Sequence, residues 1–285
     1  MNKEFFNSFS DRLSGGELIK NICILGSAPA APDAERLISQ ETIVVALNNA
    51  HRALSRIDYS FYADDFPADL KHSQTSRIGR SSPQYIPAMQ NYGGLIYCGA
   101  TIAFASMYWA IHVFPYSQIS VFACDMVYPE GKSHFYGRGS PDPLRKNISL
   151  QNLKAKSLRL FYFGLRNNVL ILNASSESST QLLFPRVKTG SSLSTTYFQN
   201  LISDIEVLLP KLEELARPAL ELESSGKINW RRIDYHKVYN KDTEAWAHIK
   251  QIDTLWMALL DEVEKFGIRV DAVASELASN KKNGC

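Results

Sequence analysis

Ser27, Asn48, Asp64, Asp65, Thr101 and Asp125 each stand just after an apolar run, and Ser133-His134-Phe135-Tyr136-Gly137 lies in a polar stretch beyond the Asp125 run. Hydroxyls, an amide, carboxylates and an imidazole are the groups that bind phosphates and move protons. His134 stands out among the histidines. It is flanked by Lys132, Ser133 and Tyr136 in a loop, where an imidazole can act as a general base or donate to a phosphate. Arg138, Arg145 and Lys146 follow, and an arginine fork suits a phosphate or a carboxylate. Each of these residues alone also fits a turn or a solvated loop. The argument rests on their recurrence at successive run ends. Asp64 and Asp65 suggest a metal pair, but adjacent carboxylates on a strand would point to opposite faces. His112 lies in an apolar stretch and is expected in or near the core, while His51, His72, His236 and His248 show no ligand spacing.

The apolar runs read as buried strands: Asn21–Leu25, Thr42–Leu47, Tyr59–Ala63, Leu95–Cys98, Ile119–Cys124 and Asn168–Leu172. Helical patterns at Ile102–Val113 and Leu150–Leu165 alternate with them. This alternation predicts an α/β fold, a mostly parallel Rossmann-like sheet with helices on both faces. Ligands bind such sheets at the carboxyl ends of the strands, and Gly26 after the first strand would let the backbone approach one closely. The usual dinucleotide or triphosphate glycine motif is absent from that turn. Pro67–Pro87 reads as a surface loop, and Lys188–Thr195 as a Gly/Ser/Thr-rich connector. Thr196–Leu222 and Thr243–Leu277 carry apolar helical faces. The expected organisation is an N-terminal extension over 1–20, a nucleotide-sugar-binding α/β domain over 21–186 and a helical region over 187–285.

A formal net charge of +2 gives no global case for nucleic acid. Cys23, Cys98, Cys124 and Cys285 form no C-x-x-C pair, so zinc and a disulfide framework are not expected, and a reducing compartment is. Met1–Lys20 is polar and interrupted by Gly15-Gly16, unlike a secretory signal. The longest apolar stretch, Ala100–Val121, is too interrupted to span a bilayer. A cytoplasmic location is expected, with peripheral attachment to the inner membrane face and homo-oligomerisation left open. Trp230-Arg231-Arg232 and Lys237, with Trp246 and Trp256 beyond, fit either helix packing with surface charge or a membrane-surface or acceptor site.

The turn Ile24-Leu25-Gly26-Ser27-Ala28-Pro29 resembles the G-x-G-P-S turn of glycosyltransferase family 42, the bacterial sialyltransferases that use CMP-sialic acid. That turn also occurs in the wider group of motility-associated factor transferases and hydroxymethylpterin diphosphokinase-like proteins. Leu47-Asn48 falls at the family's nucleotide-binding Asn, Phe61-Tyr62-Ala63-Asp64 resembles its F-Y-N segment, and Cys98-Gly99-Ala100 falls at its S-G. Phe122-Ala123-Cys124-Asp125-Met126 resembles S-G-I-D-F, Gly131-Lys132-Ser133-His134 resembles G-S-S-Y, and Asn173-Ala174-Ser175 sits at C-P-N-S. The resemblance spans about 21–186. Ala63 or Asp64 replaces the third-strand Asn, His134 stands for the phosphate-side Tyr, and no histidine lies near Ser149, where the family's base would fall.

The resemblance implies transfer of sialic acid or a related ulosonic acid from a CMP-sugar to a cell-surface glycan, as in lipopolysaccharide or capsule synthesis, with no metal cofactor. It implies catalytic roles for His134, Asp125 and Tyr136. Donor binding would fall to Gly26, Ser27, Ala28, Asn48, Asp64, Gly99, Thr101, Ser133, Asn173, Ala174 and Ser175. Two alternatives stand beside it. One is a pterin diphosphokinase-like transferase with ATP and Mg²⁺ at Asp64, Asp65 and Asp125; the other is a non-catalytic nucleotide-binding protein.

Overall fold

The computed structural model describes residues 19–36, 38–71, 82–128, 133–137, 139, 145–175, 177–187 and 195–283. Residues 1–18, His72, Arg77, Arg80, Gly131, Lys132, Arg138 and most of the expected connector, 188–194, lie outside the described residues. Five of the apolar runs form parallel strands: β1 Lys20–Leu25, β2 Ile43–Leu47, β3 Tyr59–Phe61, β4 Ser117–Phe122 and β5 Val169–Asn173. Their order is β3-β2-β1-β4-β5, with every neighbouring pair parallel. The order reverses between β1 and β4, and a crevice at such a switch point is where open α/β sheets bind ligands. All six residues of β4 are buried, as expected of a central strand covered on both faces.

Short 3-10 turns, Ala31–Arg36 and Asn48–Arg52, follow β1 and β2. Among the described residues between β3 and β4 are the α-helices α1 Ser82–Gln90, α2 Gly94–Cys98 and α3 Ile102–Val113. α4, Leu153–Arg166, joins β4 to β5. Thr101 Oγ1 caps α3 by accepting from the Phe104 amide, and Asn152 Oδ1 caps α4 by accepting from the Ala155 amide. Both helices run back to the start of a strand, so their N-termini lie at the edge where the strands end.

Two expectations are corrected. Leu95–Cys98 is helical rather than a strand. Left-handed glycines at 93, 94 and 99 turn the chain on both sides of it, and the Cys98 thiol donates back to the Tyr92 carbonyl. A four-residue apolar run cannot by itself be told from a buried helix turn. His112 is exposed: it sits in the last turn of α3, beyond the buried Ala103–Ile111 stretch, and its Nδ1 meets the Asn91 amide at 3.5 Å.

The C-terminal helices are α5 Thr195–Glu223, α6 Tyr235–Tyr239, α7 Thr243–Met257 and α8 Leu260–Asn283. They are not a separate body by packing, since one hydrophobic core runs from β1 through α4 to α8. Two buried charges on α4 hold them. The Lys156 ammonium donates to Asp253 on α7 at 2.8 Å. The Arg159 guanidinium, 1% exposed, donates from Nε and Nη2 to the two carboxylate oxygens of Glu223 on α5, each at 2.8 Å. Its Nη1 donates to the Tyr108 hydroxyl on α3 at 2.8 Å, and Trp256 Nε1 donates to the same Glu223. Removing one partner of such a pair leaves a buried charge alone, at a cost of about 3–5 kcal/mol. Glu223→Gln is therefore expected to lose about that much in urea unfolding. Arg159→Met with Glu223→Met is expected to recover a large part of it, because no lone charge then remains.

Candidate functional site

The site is built from strand ends. Past β1, the Gly26 amide donates to the Phe122 carbonyl at 2.8 Å and the Ala28 amide to the Ala123 carbonyl at 3.1 Å, so the turn goes on pairing with β4. A Cβ at Gly26 would stand 2.1 Å from the Ala123 oxygen. Glycine here serves the close approach of two strands. Ser27, between the two amides, is half-buried, and its hydroxyl has no hydrogen-bond partner among the described residues. Directly after β2, Asn48 takes a left-handed φ of 48°, a conformation asparagine tolerates better than most side chains. Its Oδ1 accepts from the Ala63 amide at 3.1 Å, tying the ends of β2 and β3 together. The Asn48 amide nitrogen is left without a partner among the described residues. The register of β1 on β2 pairs Leu25 with Ala46, so Ser27 and Asn48 follow at one level of the sheet edge.

The loop Ser133–Gly137 docks over this edge. Phe135 donates its amide to the Ser27 carbonyl at 3.0 Å, and His134 and Gly137 exchange both backbone bonds at 3.0 Å. The His134 ring stacks on Tyr136 with centroids 5.0 Å apart and lies 5.7 Å from the Tyr128 ring. Its Nδ1 shares a 2.8 Å hydrogen bond with Ser133 Oγ, which also accepts from the Gly139 amide. Nε2 has no hydrogen-bond partner among the described residues. The ring is 8% exposed, and burial lowers its pKa from the usual 6.5, so it is neutral at pH 7. Tyr136 completes the link to β2, because the Arg52 guanidinium at the end of the turn begun by Asn48 lies 5.7 Å from its ring.

The fourth strand end serves another purpose. Asp125 is bracketed by left-handed Ala123 (φ 55°) and Met126 (φ 53°), and its Oδ2 accepts from the Ser175 hydroxyl at 2.8 Å. Burial pushes its carboxyl up, opposed by the Ser175 and Thr180 hydroxyls, while Oδ1 makes no bond of good geometry. Asn173 is fully buried, and its Oδ1 accepts from the Ser175 amide; the Ala174 amide donates to the Val121 carbonyl. These residues hold the loop after β5 against β4. Thr101 spends its hydroxyl on the α3 cap, and a Cβ at Gly99 would stand 2.7 Å from the Phe104 ring.

The structure therefore brings together Ser27, Asn48, Ser133, His134 and Tyr136. It gives Gly26, Ala28, Gly99, Thr101, Asn173 and Ala174 to backbone support, and Asp125 with Ser175 to a buried clamp. Asp64 and Asp65 stand exposed on the turn after β3. Among the described residues no group of three His, Cys, Asp or Glu side chains is assembled that could hold a metal ion. Ser149, where the resemblance would put a base, is buried between Asn147 and the Tyr235 hydroxyl. Arg145 and Lys146 are exposed, and the Lys146 ammonium lies over the Trp246 ring. Sequence reasoning missed Arg52 and Tyr128. Arg52 lies five residues past the end of β2, at the far end of a 3-10 turn, away from the polar residues directly after the strands. Comparison with protein-family models, with curated proteins and with solved structures gives no match for this chain.

A histidine whose folded pKa lies below 6.5 binds its proton more readily when unfolded. Its contribution to stability is full above pH 6.5 and is lost as pH falls through the folded value. The stability of the wild type relative to His134→Gln is accordingly expected to fall between pH 7 and 5, by urea unfolding at stepped pH. A difference independent of pH would mean that burial does not hold the ring neutral.

Proposed function

We propose that this chain is a glycosyltransferase moving an acidic sugar, sialic acid or a related ulosonic acid, from a CMP-activated donor to a cell-surface glycan. The reading is supported most by one observation. Ser27 Oγ, the Asn48 amide nitrogen, His134 Nε2 and the Tyr136 hydroxyl lie at the carboxyl edge of the sheet without a hydrogen-bond partner among the described residues, and the Arg52 cation stands by the Tyr136 ring. The buried carboxylate of that edge, Asp125, is already engaged with Ser175. Asp64 and Asp65 stand exposed on the turn after β3, so a phosphate would sit toward Ser27, His134 and Arg52, where donors and a cation suit it. The sequence resemblance supplies the finer part: cytidine as the base, the sialyltransferase variant of the fold, and transfer without a metal.

In this reading Asn48 and Ser27 bind the nucleotide, and His134 attends the phosphate as CMP leaves. A neutral imidazole stabilises the leaving phosphate as a hydrogen-bond donor, and a bound phosphate raises its pKa toward the protonated form. Ser133 sets the tautomer. If its hydroxyl donates to Nδ1, Nε2 carries the proton and faces the phosphate as donor. If Nδ1 donates to Ser133, Nε2 is a base for the acceptor hydroxyl. Activity falling at high pH marks an imidazolium that the bound phosphate keeps protonated and that acts as acid. Activity falling at low pH marks the base, and a neutral Nε2–H donor gives no limb at high pH.

The measurement is a thermal-shift series with CMP, CMP-sialic acid and ATP with Mg²⁺, followed by calorimetry. A ligand at 100 times its Kd stabilises by about 2.7 kcal/mol. CMP and CMP-sialic acid are expected to raise the midpoint, and Asn48→Ala to weaken CMP by about tenfold, the worth of a typical lost hydrogen bond. His134→Ala is expected to lose about a hundred- to a thousandfold in turnover, with CMP affinity less changed. Stabilisation by ATP with Mg²⁺ and none by cytidine nucleotides would replace this reading with the ATP-dependent one.

A further inference from the structure

The segment from Lys227 to Lys241 carries five basic residues against one acidic, a formal +4 in a chain whose total is +2. That one acid, Asp234, is held by Arg232 in a two-pronged pair at 2.9 and 2.8 Å. Lys227, Arg231, Lys237 and Lys241 are exposed and make no salt bridge among the described residues. Between them, Ile233 is 62% exposed and Val238 40% exposed. The segment is nevertheless ordered from below. Ile228 and Tyr235 are buried, the Asn229 amide donates to the Tyr239 hydroxyl at 3.0 Å, and the Arg231 guanidinium stacks 4.6 Å from the Trp230 ring centre. Two large aliphatic side chains exposed on a firm base, in a segment whose cations Lys227, Arg231, Lys237 and Lys241 make no salt bridge among the described residues, suit a partner that is both anionic and apolar.

The edge of the sheet on which this patch lies narrows the choice. The Tyr235 hydroxyl meets Ser149 at 3.2 Å, and Asn240 Oδ1 accepts from the Ile148 amide at 3.0 Å. Residues 148–150 lead into the N-terminus of α4, so the patch stands at the same carboxyl edge as Ser27, Asn48 and His134. No helix among the described residues is long and apolar enough to cross a membrane. We propose that residues 227–241 form a docking surface for an anionic phospholipid bilayer, with Ile233 and Val238 entering the headgroup layer. The protein then lies on the membrane rather than across it, with its candidate site at the edge that meets the lipid. This proposal rests on the patch alone and stands whether or not the donor is a CMP-sugar.

The test is flotation of the full chain with vesicles of phosphatidylglycerol and phosphatidylcholine, against phosphatidylcholine alone. Binding is expected to the anionic vesicles only, and to disappear toward 1 M salt, where the screening length is about 3 Å. Each cation near such a surface is worth about fivefold in affinity. Arg231→Ala with Lys237→Ala is therefore expected to weaken binding by about twenty-fivefold, and Ile233→Asp to abolish it. The salt and lipid-charge dependence of the wild type tests the proposal even if a variant is poorly folded. Equal binding to neutral vesicles, unchanged binding by the double variant, or retention on an oligonucleotide with none on vesicles would each overturn it.

Discussion

Arg159 is the charge on which the chain closes. It lies on α4, between β4 and β5, and its guanidinium reaches α3 through Tyr108, α5 through Glu223 and the turn before α2 through the Tyr92 carbonyl. Its face packs 4.6 Å from the Phe163 ring centre. A buried guanidinium tolerates little freedom, because every unsatisfied donor costs desolvation. The five donors therefore dictate where two C-terminal partners stop: Glu223 at the end of α5, and Trp256, which shares that carboxylate, near the end of α7. Lys156, one turn earlier, fixes α7 a second time through Asp253. The sheet and the helical part are consequently one object, and the segment carrying Ile233 is set on the same framework as the strand ends.

The candidate site is organised by a different economy. Most of the polar groups at the strand ends are spent on the protein itself. Gly26 and Ala28 extend the β1–β4 pairing, Thr101 caps a helix, and Asn173, Ser175 and Asp125 fasten the loop after β5. What remains unspent is concentrated over β1 and β2, where the Phe135 amide lands on Ser27 and Tyr136 leans against Arg52. The protein's own loop thus rests on the turn past β1, through the Phe135 amide on the Ser27 carbonyl. The groups available to a ligand are shifted to the β2 side.

Much of this was legible in the sequence because burial in a parallel sheet leaves a plain mark. Ile43–Leu47 and Val169–Asn173 are continuous apolar runs with polar residues at their ends, and the structure places strands there. Thr101 itself reads as a ligand group and the structure gives its hydroxyl to the helix cap, but the helix after it was equally visible. Leu95–Cys98 was not, since its flanking glycines, whose φ values decide the matter, look alike in a strand turn and in a helix boundary. Nothing in the sequence singles out Lys156 and Arg159 on the helical stretch Leu150–Leu165. Their partners stand 97 and 64 residues away, and no local pattern announces a buried pair at that separation. The polar residues at the strand ends were found, but whether each faces a ligand or a neighbouring amide depends on three-dimensional pairings such as Ala63 with Asn48.

Gly139 ties a further thread to His134. A Cβ at that position would stand 2.5 Å from His134 Cε1 and 2.6 Å from Nδ1. The ring occupies the volume a side chain at 139 would need, with Tyr136 stacked on it and Tyr128 beside it. The imidazole has a fitted slot rather than a choice of rotamers, and its Nδ1 edge is committed to Ser133. Positions 134 and 139 are accordingly coupled in volume: with a side chain at 139, the imidazole must turn out of this position or give way to something smaller. The pair can be read together in any related sequence as a marker of whether the histidine, in this orientation, is present at all.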